Sequence, residues 1–539
     1  MSAASLLLVL ASCAVFMIAV AYVSYRSART EVSTSDGYFL AGRNLGGLFI
    51  AGSLLLTNLS AEQLIGLNGS AYGYNMSSMA WEVTAAISTI AMAMIFLPRY
   101  LKGAFTTLPQ FLNDRYGPDV RRLSVVLFML GYGLVTIPSV LYSGSIAVIK
   151  IFDVPTLLGL SEFGGLVATV LLIGGVGALY AIFGGLKAVA VSDTINGLGL
   201  LIVGILVLTL GLNALGNGDI GAGVSRLLTD HPEKLNAIGD QEAPTPFGTL
   251  FTGMLIANLF YWCTNQYVIQ RTLAARSLAE GQKGVLLSGF FKLLVPIFMM
   301  IPGVIAYHLY GSDLSSIDLA FPTLVQDLLP IWLMGFFLAV LLGAVFSSFN
   351  SLINSAATLF VLDIYVPSRK VPMSDKQTVR VAMIASGVIA VMSFAVAPLL
   401  YLAPQGLWQI IRIFTGFYNI PIVTIVLFAL FAPRSSALGA KLVIGFHIIA
   451  YGLLKFVFDD VVTLHFLHLY ALLFLAESAI MITAMKYTRH MTDTDIPVPA
   501  VETAAVDLTP WKHSTLVSVL LAGGVVIIYL IFSPIGIAK

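Results

Sequence analysis

Charge is scarce in this sequence. Only 10% of its 539 residues are Asp, Glu, Lys or Arg, where an ordinary soluble domain carries about 25%. With 58% hydrophobic residues and a mean hydropathy of +0.93, the composition excludes a soluble globular chain and leaves a polytopic membrane protein. A net charge of +1 speaks against a nucleic acid or an acidic macromolecule as partner. Cysteine is almost missing: Cys13 and Cys263 both sit in apolar runs, which makes a disulfide framework or a zinc centre improbable. Histidine is sparse as well. Its seven residues lie mostly at span ends or in loops, with no HExxH and no GxSxG, so neither a zinc hydrolase nor a nucleophile elbow is indicated. Long polar stretches are also lacking; 216–246 and 487–512 are too short for a catalytic domain. The glycine-rich GGVGALYAIFGG from Gly174 to Gly185 lies within an apolar run and reads as helix packing, not a phosphate loop.

Apolar runs dominate what is present. At about 20 residues per crossing, fourteen spans are expected, at 3–25, 46–70, 76–98, 123–149, 163–184, 191–213, 247–270, 284–309, 330–362, 379–400, 405–432, 436–457, 463–486 and 514–534. The first run lacks a positive flank before it and is read as a retained span, not a signal peptide. Basic residues then test the threading. With the first end outside, 21 of the 28 Lys and Arg residues fall on the inner side, Arg271 among them. Both termini are therefore expected outside a cell (inner) membrane.

One span is unusually polar. In TNLSAEQLIG, Thr57 to Gly66, five of ten side chains are polar, so the segment must face something other than lipid. Span 7 echoes it: LLLTNLSAEQ and MLIANLFYWCTNQ both carry Asn-Leu mid-span, at Asn58 and Asn258. The two are offset by five spans, an odd number, which would give spans 2 to 6 and 7 to 11 opposite orientations, the logic of inverted-repeat transporters with broken helices.

Ionisable groups at bilayer depth are Glu62, Glu82, Asp193, Lys292, Arg412 and Glu477, with Asp363 at a span end. Several have a plain structural reading beside a functional one. Glu82, beside Trp81, is either salt-bridged to a neighbouring helix or an acceptor for a ligand hydroxyl. Lys292 pairs with Glu82 or a ligand more readily than it snorkels. Arg412 either contacts a ligand or holds the carbonyls of an interrupted helix. Glu477 reads as packing, and Glu62 has no evident role. The series from Ser347 to Ser355 either bonds neighbouring helices or offers oxygens to a hard cation. Helix unwinding near TNLSAEQLIG would free carbonyls for the same purpose.

Four motifs together resemble the sodium/solute symporters, in particular their bacterial sodium/galactose and sodium/glucose branch: DGYFLAGRNLGG at Asp36, NLSAEQLIG at Asn58, ANLFYWCTNQYVIQRTLAARS at Ala257, and SSFNSLINSAATLF at Ser347. The resemblance implies an all-α membrane fold with a leucine-transporter-like inverted repeat of five plus five helices. Residues 46–213 and 247–432 would be the repeats, with 1–45 and 433–539 peripheral. It also implies a sodium site from the carbonyls of Leu56, Leu59 and Ala344 and the hydroxyls of Ser347 and Ser348. A second sodium or coupling role would fall on Asp193, although Asn350 replaces one of the expected serines. Sugar contacts would be Gln63, Glu82, Asn258 and Lys292, with Arg412 where the family has a glutamine and Ala85 where it has a serine. Tyr261 would be the inner gate, and Trp81 and Trp408 parts of the outer one.

The expected function is sodium-coupled import of a galactose- or glucose-like sugar through a single chain working as a monomer. An acidic sugar, such as a sialate or uronate, and a proton-coupled carrier using Glu82 or Asp193 are the alternatives. A membrane sensor or an intramembrane enzyme lacks support in the residues.

Overall fold

The computed structural model describes residues 3–28, 34–402, 407–458, 461–488 and 506–538. The side chains at 3, 28, 180–184, 402, 407–410, 412 and 413 lie outside the described set, and with them two expected site residues, Trp408 and Arg412. Among the described residues the chain is helical, with two isolated β-bridges and no strand.

The principal helices are α1 (Ala3–Ala28), α2 (Gly47–Asn58), α3 (Ala61–Gly73), α4 (Met76–Gly103), α5 (Pro118–Phe152), α6 (Glu162–Leu179), α7 (Gly185–Leu215) and α8 (Gly253–Leu259). They continue with α9 (Gln266–Leu273), α10 (Leu278–Tyr310), α11 (Ile331–Ser368), α12 (Asp375–Tyr401), α13 (Leu407–Phe431), α14 (Ala437–Val457), α15 (Phe466–Thr488) and α16 (Ser514–Ile531). Every one of the fourteen expected spans is helical at its place. Among the described residues, twelve contain a helix long and apolar enough to cross a bilayer alone, and α2 with α3 forms a thirteenth span bent by 59°. The segment 247–270 differs: α8 runs through a π-turn at Phe260–Thr264 and stops at Asn265, before α9 begins.

Small residues bring the central helices together, as expected where lipid supplies no hydrophobic drive between them. A Cβ on Gly52 of α2 would meet Thr194 of α7 at 2.6 Å, one on Gly284 of α10 would meet Ile50 of α2 at 2.6 Å, and one on Gly199 of α7 would meet Val340 of α11 at 2.7 Å. A Cβ on Gly174 would lie 2.4 Å from Phe394 and one on Gly177 3.0 Å from Phe349, so the glycine-rich run does pack helices. Where α6 passes into α7, Gly185 takes φ +59° and ψ −179°, a conformation open to glycine alone without strain.

The motif around Asp36 folds into a plug on the side where α2 begins. The Leu45 amide donates to the Ala274 carbonyl at 2.9 Å, and the Arg276 amide donates to Leu45 at 3.1 Å. Glu280 accepts the Gly47 amide at 2.7 Å, capping α2, and is itself flanked by Lys283 at 2.8 Å and Arg276 at 3.5 Å. At the other end of α3, Lys234 of the 216–246 loop donates to the Tyr72 carbonyl at 2.9 Å and sits 3.8 Å from the Tyr307 ring centroid. Desolvation there draws its ammonium below the usual lysine range.

Candidate functional site

The polar run at Thr57 sits at a break. Leu59 leaves the helix at φ −79° and ψ 74°, Ser60 is extended, and Ala61 restarts it. The Ser60 amide turns to Asn58 O at 2.9 Å and the Gln63 amide to Ser60 O at 3.1 Å. The carbonyls of Leu56 and Leu59 thereby lose the donors four residues on that an unbroken helix would supply. Glu62 lies in the first turn of α3, where its carboxylate complements the positive helix end.

Across from the break runs α11. Ser348 lines the same cavity as Thr57, Asn58 and Glu62, and its buried hydroxyl has no hydrogen-bond partner. Ser347 faces Asp193, with neither Ser347 Oγ nor Asp193 Oδ1 closing a bond of ordinary geometry. One turn earlier, Ala344 is 1% exposed. Thr57 Oγ1 and Ser351 Oγ, 3.5 Å apart, tie α2 to α11.

Gln63, Trp81, Glu82, Asn258 and Tyr261 line this one cavity together with Thr415, Tyr418 and Asn419 of α13. Glu82 and Lys292 are hydrogen-bonded as a buried ion pair, and Lys292 Nζ lies 5.7 Å from the Trp262 ring centroid. Breaking such a pair leaves an unpaired buried charge, which is far costlier than the pair itself is favourable. Asn258 Nδ2 donates to Thr84 Oγ1 at 2.9 Å. The amide oxygens of Gln63 and Asn419 are buried without a partner, so the cavity presents unused acceptors. Trp81 stacks on Phe466 at 6.5 Å, and Ala85 is buried at 1% exposure.

The second break is filled by the protein itself. Tyr132 donates to Asn265 Oδ1 at 2.5 Å and accepts the Tyr267 amide at 3.4 Å, and Tyr100 donates to the Cys263 carbonyl at 2.9 Å. Tyr261 packs edge-on against Tyr267 at 5.8 Å.

Arg271, counted above with the inner loops, is instead completely buried. Its Nε donates to Ser53 Oγ at 2.9 Å, Ser53 donates to Asp193 Oδ2 at 2.7 Å, and the guanidinium lies 3.9 Å from Asp193. It also bonds Ser351.

A family model, that of the sodium:solute symporter family, matches residues 38–445. The chain belongs to the sodium:solute symporter family. It is therefore a multi-pass membrane transporter of a family that couples solute movement to sodium, and not an enzyme. The chain is 44% identical over 507 residues to the uncharacterized symporter YidK of Escherichia coli (strain K12), covering 94% of this chain and 87% of that one. It is 32% identical over 444 residues to the sodium/glucose cotransporter of Vibrio parahaemolyticus, covering 78% and 79%. The sodium/myo-inositol cotransporter of Bos taurus is 29% identical over 76% of this chain and 61% of its own length. Among solved structures, a Na+-coupled sialic acid symporter in its substrate-bound outward-open state superposes with a TM-score of 0.75 at 21% identity, over 90% of this chain and 98% of that one. Mhp1, a nucleobase-cation-symport-1 family transporter, gives 0.52 at 14% identity, over 84% and 94%. These two likenesses establish the symporter's fold.

Sequence reasoning missed Tyr132, Asn265, Thr415, Asn419 and Arg271. Arg271 was within reach, because QYVIQRTL carries polar residues at Gln266, Gln270 and Arg271 directly after a polar mid-span run.

Proposed function

We propose that this symporter imports a neutral sugar or polyol by sodium-driven alternating access, with the ion held between the first break and α11. The juxtaposition that carries the reading is a set of freed carbonyls and an unpartnered serine hydroxyl bordering the same cavity as Gln63, Glu82 and Asn258. The donor set fits sodium. It consists of uncharged oxygens, the carbonyls of Leu56, Leu59 and Ala344 and the hydroxyls of Ser347 and Ser348, as a hard cation prefers.

Beside it, the unused acceptors of Gln63 and Asn419 suit hydroxyl donors, and Trp81 and Tyr261 close the cavity as outer and inner gates. Lys292 is already neutralised by Glu82, which favours a neutral ligand over an acidic one. Trp408 as a gate and Arg412 as a contact rest on the sequence resemblance alone. Asp193 serves as the charge partner of Arg271 and not as the seat of a second ion, so one sodium accompanies each solute. Residues 46–213 and 247–432 act as the inverted repeats, in a monomer of the inner membrane with both termini outside.

Sodium shifts the protein only by binding one state more tightly than the other. Bound at the break it holds α2, α3 and α11 together and orders Gln63, on the first turn of α3. Inward opening parts the break from α11 and releases both solutes. The driving force is sufficient: about 2.3 kcal/mol per charge per 100 mV, with about 1.4 kcal/mol per tenfold sodium gradient.

Uptake of radiolabelled D-galactose and D-glucose into proteoliposomes, with Na+ or K+ outside, tests the reading. Uptake at least tenfold faster in Na+ is expected, and equal uptake in both salts would point to proton coupling. Competition by N-acetylneuraminate or D-glucuronate but not by neutral sugars would overturn the neutral-ligand assignment.

A further inference from the structure

Outside the cavity, α13 to α15 hold a second buried ionisable cluster that sodium coupling leaves unused. His447 and Glu477 are both 0% exposed. His447 Nδ1 lies 2.6 Å from Glu477 Oε1, and His447 Nε2 donates to the Gly416 carbonyl at 2.9 Å. The other carboxylate oxygen accepts from Thr424 Oγ1 at 2.6 Å. Every polar atom of both side chains therefore has a partner. A saturated network of this kind is rigid, and one proton carried between Nδ1 and Oε1 completes it.

Its two anchors on α13 are Gly416 and Thr424, and Pro421 lies inside the helix between them. Proline removes one ladder bond and crowds the carbonyl four residues earlier, so the helix is weakest there. Gly416 also lets α13 sit close against its neighbours, since a Cβ there would lie 2.3 Å from the Tyr451 hydroxyl and 2.7 Å from that of Tyr470. Thr415, Tyr418 and Asn419, on the near side of the proline, line the cavity. Those neighbours reach a gate as well: Tyr470 packs edge-on against Phe466 at 5.5 Å, and Phe466 stacks on Trp81.

We propose that His447 and Glu477 are positioning residues that clamp α13 on both sides of Pro421 and so set how readily the cavity wall swings open. The proposal rests on the cavity being the solute site, but its mechanical part does not need the ligand. Helices outside the repeats thereby acquire a role in gating, and Glu477 is more than packing.

The test uses the full-length protein with Cys13→Ala and Cys263→Ala and a reporter, Thr415→Cys, read as its rate of modification by a charged methanethiosulfonate. His447→Ala or Glu477→Ala should raise that rate about tenfold. Glu477→Gln, whose amide can donate to Nδ1 while its oxygen accepts from Thr424, should stay within about threefold of the parent. Adding Pro421→Ala, which restores the ladder bond, should return the alanine variants towards the parental rate. Thermal unfolding of each variant confirms that it is folded, and the Glu477→Gln comparison stands even where an alanine variant is not. Rates unchanged within twofold in folded variants, a rise that Pro421→Ala fails to reverse, or a Glu477→Gln rate as high as that of the alanine variant would overturn the clamp. Failure of Na+ with D-galactose to protect the introduced thiol in the parent would count against the cavity reading, not against the clamp.

Discussion

At Leu59 and Ser60 the chain leaves two carbonyls unclaimed, whereas at Asn265 it inserts a tyrosine. Both interruptions follow an Asn-Leu pair inside a span, and both place polar side chains on the same cavity. The first bends by 59° and faces the buried, unpartnered hydroxyl of Ser348. The second is preceded by a π-turn, where Tyr132 bonds the Asn265 side chain and the Tyr267 amide and Tyr100 bonds the Cys263 carbonyl. The contrast supports the proposed placement of the ion at the first break and not the second, since a buried carbonyl paired with a protein donor has little reason to exchange it for an ion.

Each half of that contrast can be attacked. The largest effect is expected at the open break: Ser347→Ala with Ser348→Ala should reduce sodium-driven uptake on the order of 100-fold and remove any stabilisation of the purified protein by NaCl over KCl. Retained sodium stabilisation would move the ion elsewhere. Next comes Arg271→Ala, which cuts the tie between α9 and the Ser53–Asp193 pair and leaves a buried carboxylate unpaired, at a cost of about 3–5 kcal/mol. Thermal unfolding would show it, and adding Asp193→Asn should recover much of the loss. If the double variant instead loses a steep sodium dependence of uptake, Asp193 does hold a second ion. Tyr132→Phe opens the filled break and should cost about 1–3 kcal/mol with sodium affinity unchanged, which calorimetric unfolding and a sodium titration would separate. The smallest change is Glu62→Gln, about 0.3–1 kcal/mol of helix-end stabilisation, seen as a small drop in melting temperature.

The first break was legible because polarity inside an apolar span is a strong local signal, and Ser347 and Ser348 stood out for the same reason. Its counterpart was only half legible. Asn258 marked the right span, but the interruption falls at Asn265, beyond a π-turn, and Tyr132, which bonds Asn265, lies more than a hundred residues away in sequence. Glu82 and Lys292 were visible singly, and their pairing required the fold to bring α4 and α10 together. Arg271 was misread because an arginine at a span end looks like a loop residue until Asp193 is placed beside it. Asn419 and Gly416 gave no signal, one being a single amide and the other a glycine among many.

The plug around Leu45 bears on how the two interruptions move. Its amide and carbonyl bind Ala274 and Arg276, just past α9, while the Glu280 carboxylate grips the first residue of α2. The lower segments of both broken spans therefore share one foot. Rotation at either knee that moves this foot carries to the other, and the Arg271–Ser53 bond between α9 and α2 couples the same two spans a second time.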